Sequence, residues 1–303
     1  MPADHASRSA AIARAASVLR EAGVAAPRVD AELLAAHVLG VPRGRLVLAG
    51  GLGGARLAAF ERLVALRARR VPLQHLLGSA GFRRIELAVG PGVFIPRPET
   101  ELLVDWGLGA LRSLGAQPCV AAQPCVVDLC AGSGAIALAV AQEGPPSRVY
   151  AVERAPAAVE WLRRNAAERV AAGDRPVEVV AGDATDPAVL STLDGRVDLV
   201  LCNPPYVPAG TRVPVEVGGH DPADAVFAGP DGLAVIRPVV SRVAALLRPG
   251  GRVGIEHDDS HGEAVPALLR ADGRFDDIRD HSDLAGRPRF ATARRRAPQE
   301  MAD

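Results

Sequence analysis

Lysine is absent from this sequence, and aromatic residues are few. All 35 basic residues are arginine, and Phe, Trp and Tyr together make up 3% of the 303 residues. The arginines balance 35 acidic residues, so the formal net charge is zero. The lack of lysine indicates a bias in coding composition, as in a GC-rich genome, and predicts no mechanism. A neutral chain with few aromatic rings lacks two features that are typical of nucleic-acid-binding proteins.

Cysteine is also scarce, and its pattern excludes two kinds of site. The four cysteines are Cys119, Cys125, Cys130 and Cys202. They form no Cys-x-x-Cys pair and no histidine cluster lies beside them, so neither a zinc site nor a disulfide framework is expected. We therefore predict no metal, and we interpret Cys130 and Cys202 as small, buried, reduced thiols.

A long uninterrupted apolar run is missing as well. No stretch reaches transmembrane length without a charge, a glycine or a proline. Asp4, His5 and Arg8 interrupt the N-terminal region, which therefore does not have the continuous apolar segment of a signal peptide. These absences predict a soluble, cytoplasmic protein.

Charge and apolar spacing divide the chain into a small region and a larger one. Residues 1–80 contain 11 arginines and five acidic residues, whereas the remainder contains 24 and 30. Apolar residues at helical spacing predict a helical bundle over residues 1–72, followed by a hairpin or linker over residues 73–97. The basic bundle could face an acidic or RNA-bearing partner, or its arginines could simply solvate helix faces.

From residue 98 onward, apolar strands alternate with amphipathic helices. This alternation predicts an α/β domain over residues 98–293, with a parallel sheet wrapped by helices. The predicted strands are 125–129, 148–152, 177–180, 197–201, 251–255, 274–279 and 288–292, and the predicted helices are 99–114, 134–142, 156–171, 187–192, 232–247 and 260–271. Residues 115–124 are predicted to form a surface loop, and residues 294–303 a disordered tail.

One short stretch after the fourth of these strands indicates a binding site. The stretch, here called the tetrad, consists of Asn203, Pro204, Pro205 and Tyr206. Two prolines stop the strand abruptly and leave an amide and an aromatic ring at its carboxyl end, where ligands bind in open α/β sheets. These groups suit a planar substrate that carries an amide or amino group. Taken alone, the tetrad could equally be a proline-rich turn with a helix-capping asparagine.

A glycine-rich turn follows the first strand of the predicted sheet. Asp128 and Leu129 end that strand, and the turn then runs through Cys130–Gly134 into a helix. Glycines there allow a ligand to approach the backbone closely. The next strand ends at Glu153, which could bind both hydroxyls of a ribose or could stabilise a helix N-terminus. Its distance from the turn favours the ribose role.

These motifs together resemble the peptide chain release factor N(5)-glutamine methyltransferases, a family of class I S-adenosylmethionine-dependent enzymes. The tetrad is similar to the signature of methyltransferases that act on a planar nitrogen. Four further stretches fit this family: Phe94–Glu101, Pro72–Gly78 with Phe82, Ala228–Leu233 and Leu247–Gly251. The resemblance covers residues 10–293. It implies a Rossmann-like sheet of seven mostly parallel strands with the last one antiparallel, preceded by a substrate-docking helical domain.

The resemblance also implies a cofactor, a substrate and the residues that bind them. The cofactor is S-adenosylmethionine, and the substrate is the glutamine of the Gly-Gly-Gln motif in a release factor. The implied catalytic residues are Asn203, Pro204 and Tyr206, and the tetrad as a whole binds the substrate. The implied cofactor-binding residues are Asp128, Leu129, Cys130, Ala131, Gly132, Gly134, Glu153, Asp183, Ala184 and Asn203.

Some positions keep a second interpretation or depart from the family. Asp183 could accept a hydrogen bond from the adenine amino group with Ala184 beside the ring, or it could cap a helix near Pro187. Cys130 replaces the first glycine that the family has after Asp128-Leu129, and we expect it to alter packing more than binding. His257 and His261 stand four residues apart, but in a predicted loop they are poor candidates for a metal site.

Two alternative functions remain at this point. The tetrad also suits an adenine amino-methyltransferase that acts on DNA or RNA, although the neutral charge, the few aromatic residues and the lack of a target-recognition domain oppose it. The chain could also be a non-catalytic protein-binding module that kept the fold. The intact glycines, Glu153 and the tetrad oppose a loss of activity. Direct nucleic-acid binding is therefore not expected.

Overall fold

The computed structural model describes residues 2–115 and 123–297, which form two compact units. The first contains the N-terminal helices up to Ser79 together with Val213–His220, and the second contains the rest. The predicted bundle boundary at residue 72 thus lies inside the first unit. The predicted loop at residues 115–124 falls almost entirely outside the described residues, as does Cys119.

The N-terminal part of the chain is mainly helical, and in the rest strands alternate with helices. The helices are α1 Pro2–Glu21, α2 Pro27–Leu39, α3 Ala55–Ala68, α4 Leu73–Leu77, α5 Thr100–Gly115, α6 Ala135–Glu143, α7 Pro156–Ala171, α8 Val215–His220, α9 Ala223–Val226, α10 Ile236–Leu246 and α11 Ala264–Asp272. The strands are β1 Ser79–Phe82, β2 Ile85–Ala88, β3 Cys125–Leu129, β4 Arg148–Glu153, β5 Val177–Ala181, β6 Val197–Cys202, β7 Leu247–Glu256, β8 Phe275–Ser282 and β9 Pro288–Arg295. Short 3₁₀ turns cover Arg43–Leu48, Ser191–Leu193 and Asp259–His261.

The first unit is a helical bundle with its own apolar core. Leu19, Leu34 and Phe60, from α1, α2 and α3, are almost fully buried in it. Proline at the first position of α2 and a left-handed Gly40 after its last residue bound that helix, as both residues commonly do. The hydrophobic effect on these three faces therefore holds the bundle together.

Charged groups also lie inside the first unit. Arg67 donates to Asp30 at 2.8 Å within the bundle. Glu216, on α8, accepts from Arg70 through both carboxylate oxygens at 2.6 Å and from Arg67 at 3.1 Å. The short helix α8 therefore belongs to the bundle through ion pairs, although it comes from the later part of the sequence.

The second unit is built on a seven-stranded sheet with the order β5-β4-β3-β6-β7-β9-β8. Strands β3 to β7 are parallel, and β9 runs antiparallel to both of its neighbours. Every residue of β3 and β6 is buried, as expected for central strands covered by helices on both faces. The predicted fold class is confirmed, including the seven strands and the antiparallel last strand.

The structure differs from the predicted elements in several places. Helices α4, α8 and α9 form where none was predicted, and α10 and α11 begin four residues later than the predicted helices. The helix predicted at 187–192 is wrong: among these residues only a 3₁₀ turn at Ser191–Leu193 forms. Asp186 bonds the backbone N–H of Ala188, and Leu190 adopts a left-handed conformation, so both favour a turn over a helix. Strand β9 continues to Arg295, so the predicted tail begins inside it.

Strand order places a binding cleft at one edge of this sheet. The order reverses between β3 and β6, and such a switch point opens a crevice at the carboxyl ends of the strands. Leu129 is the register partner of Cys202, and Cys202 is the partner of Ile255. The residues that follow β3, β6 and β7 therefore leave the sheet side by side.

No described helix combines the length and the apolarity that crossing a bilayer requires.

Candidate functional site

The glycine-rich turn after β3 is held in an unusual backbone conformation. Gly132 and Gly134 have φ angles of +55° and +90°, and Cys130 has one of +62°. A Cβ added at Gly134 would lie 2.5 Å from Leu162 Cδ1, whereas one added at Gly132 would meet nothing within 4 Å. Gly134 is therefore required for packing. Gly132 instead faces open space in front of the turn.

Asp128, the residue before Leu129, connects β3 to the helix that follows the turn. It is almost fully buried, and its Oδ2 accepts from the backbone N–H of Ala137 at 3.0 Å. Burial raises its pKa well above the ordinary value. Its Oδ1 is buried and has no hydrogen-bond partner among the described residues. Asp128 therefore ties the first turn of α6 to the end of β3.

Glu153 lies directly against the turn. Its Oε2 accepts from the backbone N–H of Gly132 at 2.9 Å, and its Oε1 accepts from that of Ala155 at 2.8 Å. A carboxylate oxygen has more than one lone pair, so each oxygen can still accept a hydroxyl. The side chain is thereby fixed at the end of β4 with acceptor capacity left for a ligand.

Asp183 and Ala184 follow β5 at the same edge. Asp183 Oδ1 accepts from the N–H and the hydroxyl of Thr185 at 2.8 and 2.7 Å, and its Oδ2 is 3.6 Å from an Arg154 nitrogen. Although burial raises its pKa, these contacts outweigh burial and lower it. Asp183 is therefore an ionised acceptor that caps a turn and not a helix. Ala184 is buried.

The tetrad leaves the end of β6 with both polar side chains bonded. Asn203 Nδ2 donates to Thr100 Oγ1 at 3.0 Å, and the Tyr206 hydroxyl donates to Glu256 Oε1 at 3.1 Å. Pro204 is buried, and Pro205 is half-buried. The NH₂ group of the asparagine amide is thus hydrogen-bonded within the protein. Its Oδ1 accepts no hydrogen bond from the described residues.

A second glycine fixes the position of Tyr206. Gly232 has a φ angle of +73°, and a Cβ there would lie 2.3 Å from the Tyr206 carbonyl oxygen. The next residue, Val207, is bonded on both sides, since its N–H donates to Val226 O and its carbonyl accepts from Ala228 N–H, each at 2.9 Å. The segment around Gly232, one of the stretches that fit the family, therefore packs directly on the tetrad.

The segment before α5 carries an ion pair near this edge. Arg97 pairs with the buried Asp221 and lies over the Phe94 ring, with its guanidinium carbon 4.8 Å from the ring centroid. Its partner is therefore Asp221 and not the neighbouring Glu99. This arrangement ties residues from two distant segments of the second unit together.

The two histidines considered as metal ligands have separate partners. His257 Nε2 is 2.8 Å from Asp280 Oδ1, while His261 Nε2 is 3.0 Å from the backbone oxygen of Asp231. Across residues 2–115 and 123–297, no group of three or more potential ligands could hold a metal ion.

Thr100 and Glu256 are the polar residues of this site that the sequence interpretation missed. Thr100 begins α5 inside a stretch that fitted the family, and Glu256 ends β7 directly beside the tetrad. For Glu256, the sequence signal was an acidic residue directly after an apolar strand. It was overlooked because the stretch from Glu256 onward was interpreted as a loop.

Known families and proteins match this chain over most of its length. Residues 10–78 match the family model of the PrmC N-terminal domain, and residues 111–217 match that of the methyltransferase small domain. The release factor glutamine methyltransferase of Mycolicibacterium smegmatis is 52% identical over 285 residues, which is 94% of this chain and 96% of that protein. The protein of the same name from Streptomyces coelicolor is 47% identical and covers 95% and 98%. A T. thermophilus 16S rRNA N2 G1207 methyltransferase structure is 19% identical, covering 72% of this chain and 44% of its own, with a TM-score of 0.45.

Proposed function

The chain belongs to the release factor glutamine methyltransferase family, and on this premise we propose which residues carry out the reaction. Asn203 and Pro204 hold the side-chain amide of the glutamine in a release factor Gly-Gly-Gln motif, while Glu153 and the glycine-rich turn hold S-adenosylmethionine. The observation that carries the proposal is the Oδ1 of Asn203, which accepts no hydrogen bond from the described residues and follows β6, the strand that pairs with β3, whose turn leaves open space at Gly132.

The residues at the sheet edge fit this cofactor. Gly132 leaves room for a ligand against the backbone, and Glu153 keeps acceptor capacity for ribose hydroxyls. Asp183 is an ionised acceptor for an amino group, beside the buried Ala184. The proposed cofactor site comprises Asp128, Leu129, Cys130, Ala131, Gly132, Gly134, Glu153, Asp183, Ala184 and Asn203. The bound cofactor supplies a methyl group on a positively charged sulfur, which is a strong electrophile.

The tetrad answers the main chemical difficulty, which is the poor nucleophilicity of an amide nitrogen. Asn203 Oδ1 and the Pro204 carbonyl each accept one N–H of the substrate amide. These bonds hold the nitrogen with its lone pair toward the methyl group and stabilise the positive charge that develops during transfer. Tyr206 packs against the planar amide. As the carbon–nitrogen bond forms, the bond from the methyl carbon to sulfur would break and leave a neutral thioether. The nitrogen would then lose one proton to solvent, so no strong base is needed.

The proposal predicts a separation between turnover and cofactor binding. Asn203→Ala should lower kcat by roughly 100- to 1,000-fold, as the loss of one preorganised polar contact does. Asn203→Asp keeps an acceptor and should retain more activity than Asn203→Ala. The assay uses labelled cofactor, a release factor and a nucleic acid, with the label located by mass. Calorimetry should show a much smaller change in cofactor affinity than in turnover for both variants, because the glycine-rich turn and Glu153 stay intact.

Two results would contradict this assignment. Methylation at the wild-type rate by both variants would reduce the tetrad to a turn. Label on the nucleic acid instead of the glutamine would favour the adenine alternative. We also propose a cytoplasmic location, because a release factor acts where translation takes place.

We further propose that the first unit docks the release factor. Residues 1–80 carry 11 arginines against five acidic residues. A groove of about 490 Å³ between α2 and α3 is lined by apolar residues that include Val38, Leu63 and Leu66, and also by Arg56 and Arg62. No ion pair forms at these two arginines within the described residues. The groove therefore suits an acidic, partly apolar surface segment of a release factor.

A charge reversal tests this docking role. Arg56→Glu combined with Arg62→Glu should raise KM for the full-length release factor and leave methylation of a short Gly-Gly-Gln peptide unchanged. Arg14→Glu combined with Arg20→Glu, on α1, makes the same charge change away from the groove and serves as the control. Equal KM values for the two double variants would refute the groove as the docking surface.

A further inference from the structure

Glu256 is a buried acid at the candidate site, and it has no role in the proposed methyl transfer. It ends β7 with 1% of its surface exposed. Its Oε1 accepts from the Tyr206 hydroxyl at 3.1 Å. Burying a carboxyl group is unfavourable unless the group is well bonded. Its presence directly under the tetrad therefore needs an explanation.

Thr100 lies between this acid and Asn203. Its Oγ1 accepts from Asn203 Nδ2 at 3.0 Å, and a contact of its hydroxyl with the Glu256 carboxyl group lowers the pKa of that acid, against the larger rise that burial causes. Within the described residues, no hydrogen bond of good geometry joins Thr100 to Glu256 and none reaches Glu256 Oε2, so this second contact is a loose one. Such contacts often tighten only when substrate is bound.

The direction of these bonds decides which way the asparagine amide faces. A threonine hydroxyl has one proton, and an ionised carboxylate is an acceptor only. When Thr100 donates its proton to Glu256, its oxygen can only accept from Asn203. The amide must then turn its NH₂ group to Thr100 and its Oδ1 away from it. The same carboxylate accepts a hydrogen bond from the Tyr206 hydroxyl. Glu256 therefore contacts Tyr206 directly and acts on Asn203 through Thr100.

We propose that Glu256 is a positioning residue that, through Thr100, orients the Asn203 amide with its acceptor toward the substrate and at the same time fixes the Tyr206 ring. This role rests on the proposed function of Asn203 and deepens it.

The charge on Glu256 links the arrangement to pH. The charged and titratable groups that bear on it or on its neighbours are Tyr206, Arg289, Glu99 and Cys202. Burial raises the pKa of Glu256 to about 7, against the hydrogen bonds of Thr100 and Tyr206 and the positive charge of Arg289. Below this pH the protonated acid can donate to Thr100, which frees the threonine proton for Asn203 Oδ1. Turnover should therefore fall as the pH falls through about 7.

The test compares Glu256→Gln and Thr100→Val, which change little in shape. Each should lower kcat for release factor methylation by about 10- to 100-fold, the size expected for the loss of one hydrogen bond to a charged group. The affinity for S-adenosylmethionine, measured by calorimetry, should stay unchanged and also shows that each variant is folded. Asp280→Asn, which alters the partner of the neighbouring His257, is the control and should keep wild-type turnover.

Two readouts separate positioning from a merely structural role. The fall in turnover below about pH 7 should be present in the wild type and absent from Glu256→Gln. In an Asn203→Ala background, Glu256→Gln should lower kcat by much less than it does in the wild type, because only its effect through Tyr206 remains. Full turnover in Glu256→Gln, an unchanged pH profile or additive losses would overturn the inference. Failure of the wild type to methylate glutamine would instead refute the proposed function.

Discussion

Gly232 offers a sharp test of how the backbone places the tetrad. Its φ angle of +73° is one that an L-residue adopts only at a cost of about 1–2 kcal/mol. A Cβ there would also lie 2.3 Å from the Tyr206 carbonyl oxygen and 2.8 Å from His261 Cε1. Relieving such an overlap costs about 1–3 kcal/mol more. Gly232→Ala should therefore destabilise the protein by roughly 2–5 kcal/mol.

Gly286 provides a matched control for the backbone part of this cost. Its φ angle is +79°, and a Cβ there would meet nothing within 4 Å. Gly286→Ala should therefore lose only about 1–2 kcal/mol. The difference between the two variants, measured by urea unfolding, isolates the steric pressure on Tyr206.

The functional consequence follows from the direction of that pressure. Gly232→Ala pushes on the carbonyl of Tyr206 and should lower kcat, while the cofactor affinity stays close to that of the wild type because Gly132 and Glu153 are untouched. Gly286→Ala should keep both values. If the two variants lose equal stability and equal turnover, the close approach at Gly232 does not position the tetrad.

Two further predictions concern other parts of the molecule. Glu153→Gln should weaken S-adenosylmethionine binding by about 1.5–3 kcal/mol in calorimetry, because a charged acceptor is lost. Glu160→Gln, on the exposed face of α7, is the control and should not weaken binding. Equal affinities of the two variants would remove Glu153 from the cofactor site. Arg70 and Arg67 outweigh burial and lower the pKa of Glu216 to about 2. The contribution of Glu216 to stability is therefore complete above pH 4.5 and is lost as the pH falls toward 2. Glu216→Gln should abolish this part of the acid-unfolding curve, and superimposable curves for the variant and the wild type would refute the contribution.

The sequence predicted the sheet and the family correctly because their signals are local. Fully apolar strands such as β3 and β6, each followed by a turn or a proline pair, can be recognised from neighbouring residues alone. The resemblance to the release factor glutamine methyltransferases is confirmed by relatives that match nearly the whole chain. The failed helix at 187–192 had apolar residues but also an Asp186 side chain that competes for the backbone N–H groups.

Long-range contacts were beyond the sequence interpretation. The assignment of α8 to the helical bundle depends on Glu216 meeting Arg67 and Arg70, which lie about 150 positions earlier in the chain. No periodicity or motif indicates such a pairing. The same applies to the contact between Asn203 and Thr100, which are 103 positions apart.

The site shows why these distant contacts matter for chemistry. An asparagine has an acceptor and a donor at nearly equal distances from its backbone, so its position alone does not decide which of them meets the substrate. The tetrad supplies the amide, but Thr100 and Glu256, from α5 and β7, decide its direction. Two proteins with the same tetrad could therefore differ in turnover through residues outside it. Glu256→Gln leaves every residue of the tetrad unchanged, and its effect on kcat measures that contribution directly.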